Sequence, residues 1–529
     1  MNKRIYVAGI LSASLFLAAC DGDDGVNGAD GTDGTDGFNT LLAFRDIPMG
    51  DAVCLGGGRA ADSGLDTNRN DILEDSEVTS TEYLECEATP TVRALHASPD
   101  APAVNIWVNG ATALTDVDYG QGSGFVPVLS ENNIQVEAII PGGNAIVIDE
   151  DIALGYNTEA SILAVGTVGS PAGIFALPIV NPSDSAIMEG YFRAQVVHAA
   201  PSAPAVNVYV TTFDAALAAS APVNGAGMPL SFEDFTGQLD VPEGDYQIRI
   251  TVDGDATLTP VFDSGEISLA AGADLMIVAI ENTGPGASPV SLVVLDGAAA
   301  AAMHDVNTPA SAVAVHLSPD APAVDVLADV NSTPEDEMLP LVRNVGFGAY
   351  CDLNSVPAPG DYTISVVANA DNSVVATQFP LVVEQSSEVT AIVSGFLTTG
   401  TPMITTLPQA DDRRSVVTET KLRVTHASPS TGLVDIYLVA AGTDIMSVEP
   451  SFADVPFGAD TTQLSVANAV YDAIVTGADS KTPAIELLGL DFTAGGAVLN
   501  VIARDLAAGG LDPNPLIIDY TAVPVCPAP

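Results

Sequence analysis

The 529 residues carry 15 Lys and Arg against 68 Asp and Glu, a net charge of −53, with 47% apolar residues, 36 Pro and a single Trp. So acidic a chain disfavours nucleic acid and anionic lipid surfaces as partners. Its composition suits several small β domains better than one large core, and the charge itself reads first as a solubility device in a salty exterior.

The chain begins with Lys3 and Arg4, followed by a mostly apolar stretch from Ile5 to Ala19 that is too short to span a bilayer. Leu17-Ala18-Ala19-Cys20 resembles the lipobox of bacterial lipoproteins. Residues 1–20 are therefore expected to be a signal peptide whose lipobox cysteine, Cys20, is acylated and anchors the protein to membrane. More than one acyl chain is needed, because a single chain binds only marginally at about 0.8 kcal/mol per buried CH₂. The expected location is the bacterial cell envelope, at the outer membrane or cell surface. Asp21 resembles an inner-membrane retention signal and leaves that alternative open.

Glycine then recurs at every third position from Gly22 to Gly37, with Asp or Asn in most intervening slots. Collagen has this period because only Gly fits its crowded axis, but so few triplets without proline are expected to form an acidic tether over 21–40 rather than a trimer.

Residues 41–88 read as a small module with legible site chemistry. Asp66, Asn68, Asn70, the carbonyl of Ile72 and Glu77 follow the register of a twelve-residue EF-hand-like calcium loop, in which a hard cation is wrapped by oxygens and closed by a bidentate Glu. Asp71 stands where that loop normally has Gly, at a position needing positive φ, which Asp tolerates better than most residues. A weak Ca²⁺ site is expected, with a dissociation constant on the order of 10⁻⁴ to 10⁻³ M. Cys54 and Cys86 bracket the loop and, in an oxidising envelope, are expected to form a disulfide contributing roughly 3 to 4 kcal/mol. The module resembles one that follows collagen-like repeats in some bacterial lipoproteins, a resemblance that implies no activity.

Beyond the module one phrase occurs four times: His96 in HASPDAPAVNIWV, His198 in HAAPSAPAVNVYV, His316 in HLSPDAPAVDVLA and His426 in HASPSTGLVDIYL. Copies roughly 100 residues or slightly more apart match one β-sandwich each. Apolar and polar residues alternate after each histidine, as in Val104, Ile106 and Val108 against Asn105 and Trp107. Further strands are expected in GDYQIRITV from Gly244, GDYTISVV from Gly360 and VYDAIV from Val470, and in Gly-led segments at 274–278 and 498–502. The expected fold is all-β: a tandem array of four Ig-like antiparallel β-sandwich domains over 89–190, 191–306, 307–416 and 417–529, after the calcium-loop module. Ala298–Ala302 and Thr406–Thr420 read as linkers, and the array reads as an extended stalk.

The phrase V-x-x-x-H-A-S-P-x-A-P-x-V-[ND]-[IV]-[YW]-[VL], followed by G-D-Y and a Gly-led strand, resembles the bacterial domain of unknown function 4397. The match is looser in the fourth repeat, where Thr431-Gly432 replaces Ala-Pro. The resemblance implies a secreted or surface β domain and no catalytic residue or ligand.

The histidines are weak candidates for chemistry. Ala200 replaces the serine of the other copies, no third group orients a His-Ser pair, and no cysteine lies at zinc-ligand spacing. They are expected to end the first strand and fix the Pro-containing turn through a backbone group, with the Asn or Asp nine residues on as a further partner. Cys351 and Cys526 either pair, tying the third sandwich to the C-terminal tail, or remain two thiols. The reading is a lipid-anchored, non-enzymatic envelope protein that binds an extracellular glycan or protein ligand. The alternatives are a structural spacer or filament component, and a hydrolase or carbohydrate-active accessory with a site between sandwiches.

Overall fold

The computed structural model describes residues 37–526 apart from 49, 55, 184–185, 331–337, 354–358, 372, 374–378 and 399. The signal peptide, Cys20 and the tether up to residue 36 lie outside the described residues. The described elements are strands, apart from two single 3₁₀ turns at Leu217–Ala219 and Ile445–Ser447. Among the described residues no helix is long and apolar enough to cross a membrane.

Two compact units share the chain: one ends at Ile47 and resumes over Gly58–Glu85, and the other comprises Pro48–Gly57 with Cys86 onward. The smaller unit is a three-stranded sheet of Thr40–Ile47, Gly58–Leu65 and Val78–Cys86. The first two strands pair antiparallel from Thr40 opposite Leu65 to Ile47 opposite Gly58. The acidic loop connects the second strand to the third. Gly64 has no tolerance for a side chain, since a Cβ there would lie 1.9 Å from the carbonyl oxygen of Glu77 and 2.9 Å from Leu73 Cδ1.

The larger unit contains four sandwiches of one design. In the first, one sheet has the order Ile174–Pro182, Thr158–Gly166, Thr91–His96, Val126–Pro127, and the other has the order Ala111–Val117, Val104–Val108, Glu131–Ala138, Ala145–Ala153. The histidine strand lies at the sheet centre and runs parallel to Thr158–Gly166. The same parallel pair recurs as Tyr191–His198 with Asp274–Glu281, Ser311–His316 with Glu388–Ser394, and Glu419–His426 with Val498–Ala503. The sheets are thus mixed rather than purely antiparallel, and their order is not the ABED and CFG of immunoglobulin sheets. A parallel pair needs a long crossover, which here is the passage of the chain through the opposite sheet. Alternation in sequence carries no record of strand direction.

The histidine strands are covered on both faces, although only Ser311–His316 is nearly all apolar: Thr91–His96 carries Arg93, Tyr191–His198 carries Arg193 and Gln195, and Glu419–His426 carries Glu419, Lys421 and Arg423, all buried. Val92 and Ala94 face the interior of their own sandwich with Val104, Val136 and Ile162. Leu95 and Ala97 face outward into a second core shared with Val197, Met276 and Val278 of the second sandwich. Sandwiches three and four repeat this arrangement through Val313, Val315, Ile392, Ile502 and Ile518. The remaining junctions close the set. Gln385 Nε2 of the third sandwich donates to the Asp305 carbonyl. Arg414, on the connector into the fourth, donates to the carbonyls of Pro99 and Ala101 in the first. Each sandwich therefore touches two others, and the extended stalk expected from the repeat is corrected: outward-facing apolar residues on the histidine strands force the sandwiches face to face.

The two stretches read as linkers also carry structure. Ala300–Met303 is an edge strand paired to 292–295, and Thr405–Ala410 pairs with Val389–Ser394. Both are weakly apolar edge strands, for which the backbone ladder supplies what the side chains do not.

Candidate functional site

All four motif histidines are at most 1% exposed. His96 Nε2 bonds the Pro102 carbonyl at 2.9 Å, and its Nδ1 accepts the Ser98 N–H at 3.3 Å, so this pattern assigns the proton to Nε2. His198 does the same with Pro204 and Ala200, and His426 with Gly432 and Ser428. His316 Nε2 bonds the Pro322 carbonyl, and its Nδ1 has no hydrogen-bond partner among the described residues. Each ring thus fastens the turn that follows its own strand. Burial lowers all four pKa values and brings His96 to about 4, with the carbonyl bond opposing the shift. These imidazoles are neutral at pH 7 and have no access to solvent.

The Asn or Asp nine residues on is not the histidine's partner. Asn105 Oδ1 accepts the Asp116 N–H, Asp325 Oδ1 accepts the Asn344 N–H and Asp435 Oδ1 accepts the Asp454 N–H. The three residues held this way have φ of 55°, 58° and 54°. The register of the adjoining hairpin shifts at the same place in each case. The motif's second polar position therefore pins a β-bulge, a device that bends a strand and re-aims its end.

A second recurring pair went unread in the sequence. Tyr119, Phe347 and Phe457 pack edge-to-face on His96, His316 and His426 at centroid distances of 6.1 to 6.3 Å. Each precedes a glycine at positive φ whose N–H donates to the histidine carbonyl: Gly120, Gly348 and Gly458. In the second repeat Phe232-Glu233 replaces the aromatic-Gly pair, and Glu233 adopts φ 76°. An aromatic-Gly dipeptide downstream of three histidines was the available signal.

The acidic loop is folded around its two end carboxylates. Asp66 is 1% exposed and accepts the N–H groups of Asn70 at 3.0 Å and Asp71 at 2.9 Å. Glu77, 6% exposed, accepts from the Thr67 N–H at 2.8 Å and hydroxyl at 2.7 Å, and from the Asn68 N–H at 3.2 Å. The Thr67 hydroxyl first, then the side chain of Glu74, hold the Glu77 carboxyl down to about 2. Asp71 adopts φ 60°, the conformation the EF-hand register requires of its usual glycine. Asn68 and Asn70 turn their amide nitrogens to Glu74, and the Ile72 side chain is exposed while its N–H donates to Asn70 Oδ1. Glu74, at the loop position that often ligates through water, is the residue the sequence reading omitted. Among the described residues no cluster of three or more His, Cys, Asp or Glu is placed to hold a metal, so a cation here would depend on Asp66 and Glu77 with amide and carbonyl oxygens.

Cys54 is bonded to Cys86, and Cys351 to Cys526. The second bridge places Cys526 in the core of the third sandwich, and the Cys526 N–H donates to the Asp352 carbonyl at 2.8 Å.

Residues 90–209 and 310–437 match the domain of unknown function DUF4397. Each DUF4397 match starts at an odd-numbered histidine strand and ends on the second strand of the next sandwich, at Tyr209 and Tyr437. DUF4397 is thus found twice where the structure holds four sandwiches of one topology. Residues 39–86 match a second domain of unknown function, DUF7151, which spans the three-stranded sheet and its acidic loop. No curated protein matches the chain.

Proposed function

We propose that this chain is a lipid-anchored, non-enzymatic surface protein of a bacterial envelope, whose four sandwiches act as one rigid binding body rather than as independent modules. The observation that carries the reading is the bonding of the histidines. The most conspicuous repeated group in the sequence is used up in holding turns, which leaves recognition to the surfaces and clefts between sandwiches. The paired cores and the cross-connections through Arg414 and Gln385 support the rigid body.

In this reading the acyl chains on Cys20 hold the protein to membrane, the acidic stretch that follows spaces it from the bilayer, and the loop from Asp66 to Glu77 takes Ca²⁺ weakly at extracellular concentrations. The test is cellular. Cys20→Ala moves the protein from the membrane fraction to the soluble one. Proteinase K added to intact cells removes the wild-type protein, and a deletion strain loses attachment to glycan-coated or protein-coated surfaces. Full exposure with unchanged attachment overturns the binding role and leaves a spacer.

A further inference from the structure

The larger unit holds cavities of three kinds. Two lie inside the first and third sandwiches and are lined almost wholly by aliphatic side chains, so they are unfilled core. A third, beside Arg414 and Lys421, is lined by charges engaged with one another, Arg414 with Asp118 and Lys421 with Asp412. The fourth is an open cleft of about 590 Å³ where the first three sandwiches meet. Sites for small ligands fall in the range of roughly 300–1,000 Å³ and favour domain junctions.

We propose that this cleft binds a neutral saccharide, an inference that rests on the reading of the sandwiches as a binding body and names its ligand class. The first sandwich contributes Gln121, the second Glu281 and His304, and the third Ser386. His304 is the one histidine outside the repeated phrase. Its Nδ1 is buried and has no hydrogen-bond partner among the described residues. Burial lowers its pKa, so the ring is neutral and, depending on tautomer, Nδ1 either donates or accepts. A sugar hydroxyl has the same dual character. Gln121 adds an amide and Glu281 an acceptor, while Ala300 and the exposed Ala302 on the edge strand offer a small apolar surface for the C–H face of a ring. The Tyr119 hydroxyl donates to the Glu281 carbonyl at 2.6 Å, which fixes the wall between the first two sandwiches.

The charge pattern selects among ligands. Among the described residues no Lys or Arg lines the cleft, so an anionic ligand finds nothing there to neutralise it. Glu281 Oε2 accepts the Ser202 N–H at 3.2 Å, which meets part of its charge within the protein, and Gln121, Thr283, Ser291 and Ser386 make the rest of the polar lining uncharged. A hydroxyl-rich ligand suits such a lining, and an amine is the competing class that the test includes.

The test uses the purified full-length mature chain, fluorescently labelled, on an array of neutral and acidic glycans, with putrescine titrated by calorimetry as the amine probe. At least one neutral glycan is retained. Ala302→Trp, which places an indole on the exposed edge strand lining the cleft, weakens that binding by about tenfold or more with an unchanged melting temperature. His304→Ala weakens it several-fold and serves if the tryptophan variant does not fold. Retention of no neutral glycan, equal binding by both variants, or preference for acidic glycans or putrescine overturns the proposal. Because the array uses soluble protein, its outcome is independent of whether cells display the chain.

Discussion

Arg414 Nη2 and Asp118 Oδ1 meet at 2.6 Å across the junction between the connector into the fourth sandwich and the first sandwich. The guanidinium is nearly buried, and its other nitrogen donates to the carbonyls of Pro99 and Ala101 in the turn after His96. A residue distant in sequence thereby completes the first histidine turn.

Arg414→Ala should therefore do more than remove a surface charge. Asp118 is half exposed and its charge contributes little, but two carbonyls lose their donor, at about 1–3 kcal/mol for unsatisfied buried groups. The expected result is a loss of about 2 kcal/mol in urea denaturation and faster hydrogen exchange at the turn amides near Ser98. An unchanged midpoint would show that the first and fourth sandwiches do not stabilise each other.

The residue two before each histidine tracks the size of the void beside it, and the fourth sandwich, with valine there, keeps one of only about 10 Å³. Ala94 and Ala314 line the cavities of about 60 and 50 Å³ in the first and third sandwiches, whereas the second and fourth have Val196 and Val424 there, both buried. Ala94→Val is expected to raise stability by about 1 kcal/mol, read as a higher melting temperature. Val424→Ala should cost about 2 kcal/mol. If Ala94→Val is neutral or destabilising, the cavity is not large enough for two methyl groups in a staggered rotamer.

Acid should unfold the sandwiches by way of the histidines. The folded pKa of His96, about 4, lies below the ordinary value of 6.5, so the unfolded chain binds the proton more tightly. The stabilisation is fully present above pH 6.5 and is lost as pH falls through about 4. Its size for His96 is on the order of 3 kcal/mol, and the other three histidines shift in the same direction. Denaturation midpoints should fall between pH 7 and pH 5, and the fall should shrink in His96→Gln. A flat profile over that interval would contradict the burial of the rings.

The acidic loop from Asp66 to Glu77 permits a local readout of the proposed calcium site. The amides of Thr67 and Asn68 are held by Glu77 Oε1, so their hydrogen exchange reports on the carboxylate that would close the sphere. Millimolar calcium should slow exchange along Asp66 to Glu77 in the wild type and leave Glu77→Gln unchanged. Equal exchange with and without calcium in the wild-type chain would remove the site.

Much of this architecture could be read from residues. The four histidine phrases located the first strand of each sandwich, and the alternation after Val104, Val206, Val324 and Val434 located the second. Sheet order could not be read, because the same alternation serves parallel and antiparallel neighbours. Face-to-face pairing could not be read, because buried charges such as Arg193, Lys421 and Arg423 interrupt the apolar runs, and Leu95 and Val197 look like ordinary core residues until a neighbouring sandwich is there to cover them. The turn from Asp66 to Glu77 was legible because the residues that fold it are local in sequence. The cleft at His304 was not, since its walls come from three sandwiches and no motif spans them.

The placement of positive charge has a further consequence. In the sandwiches Arg93, Arg193, Arg249, Arg414, Lys421 and Arg423 are each no more than 9% exposed, and the Arg413 side chain is 10% exposed, stacked on Tyr520. A protease of trypsin's specificity would find Arg343, Lys481 and Arg504 as its accessible targets across these domains, while enzymes that cut at apolar residues would find many. Intact sandwiches should survive prolonged trypsin and be degraded by it only once the interfaces open, which makes resistance to that one enzyme a direct measure of whether the four domains are locked together.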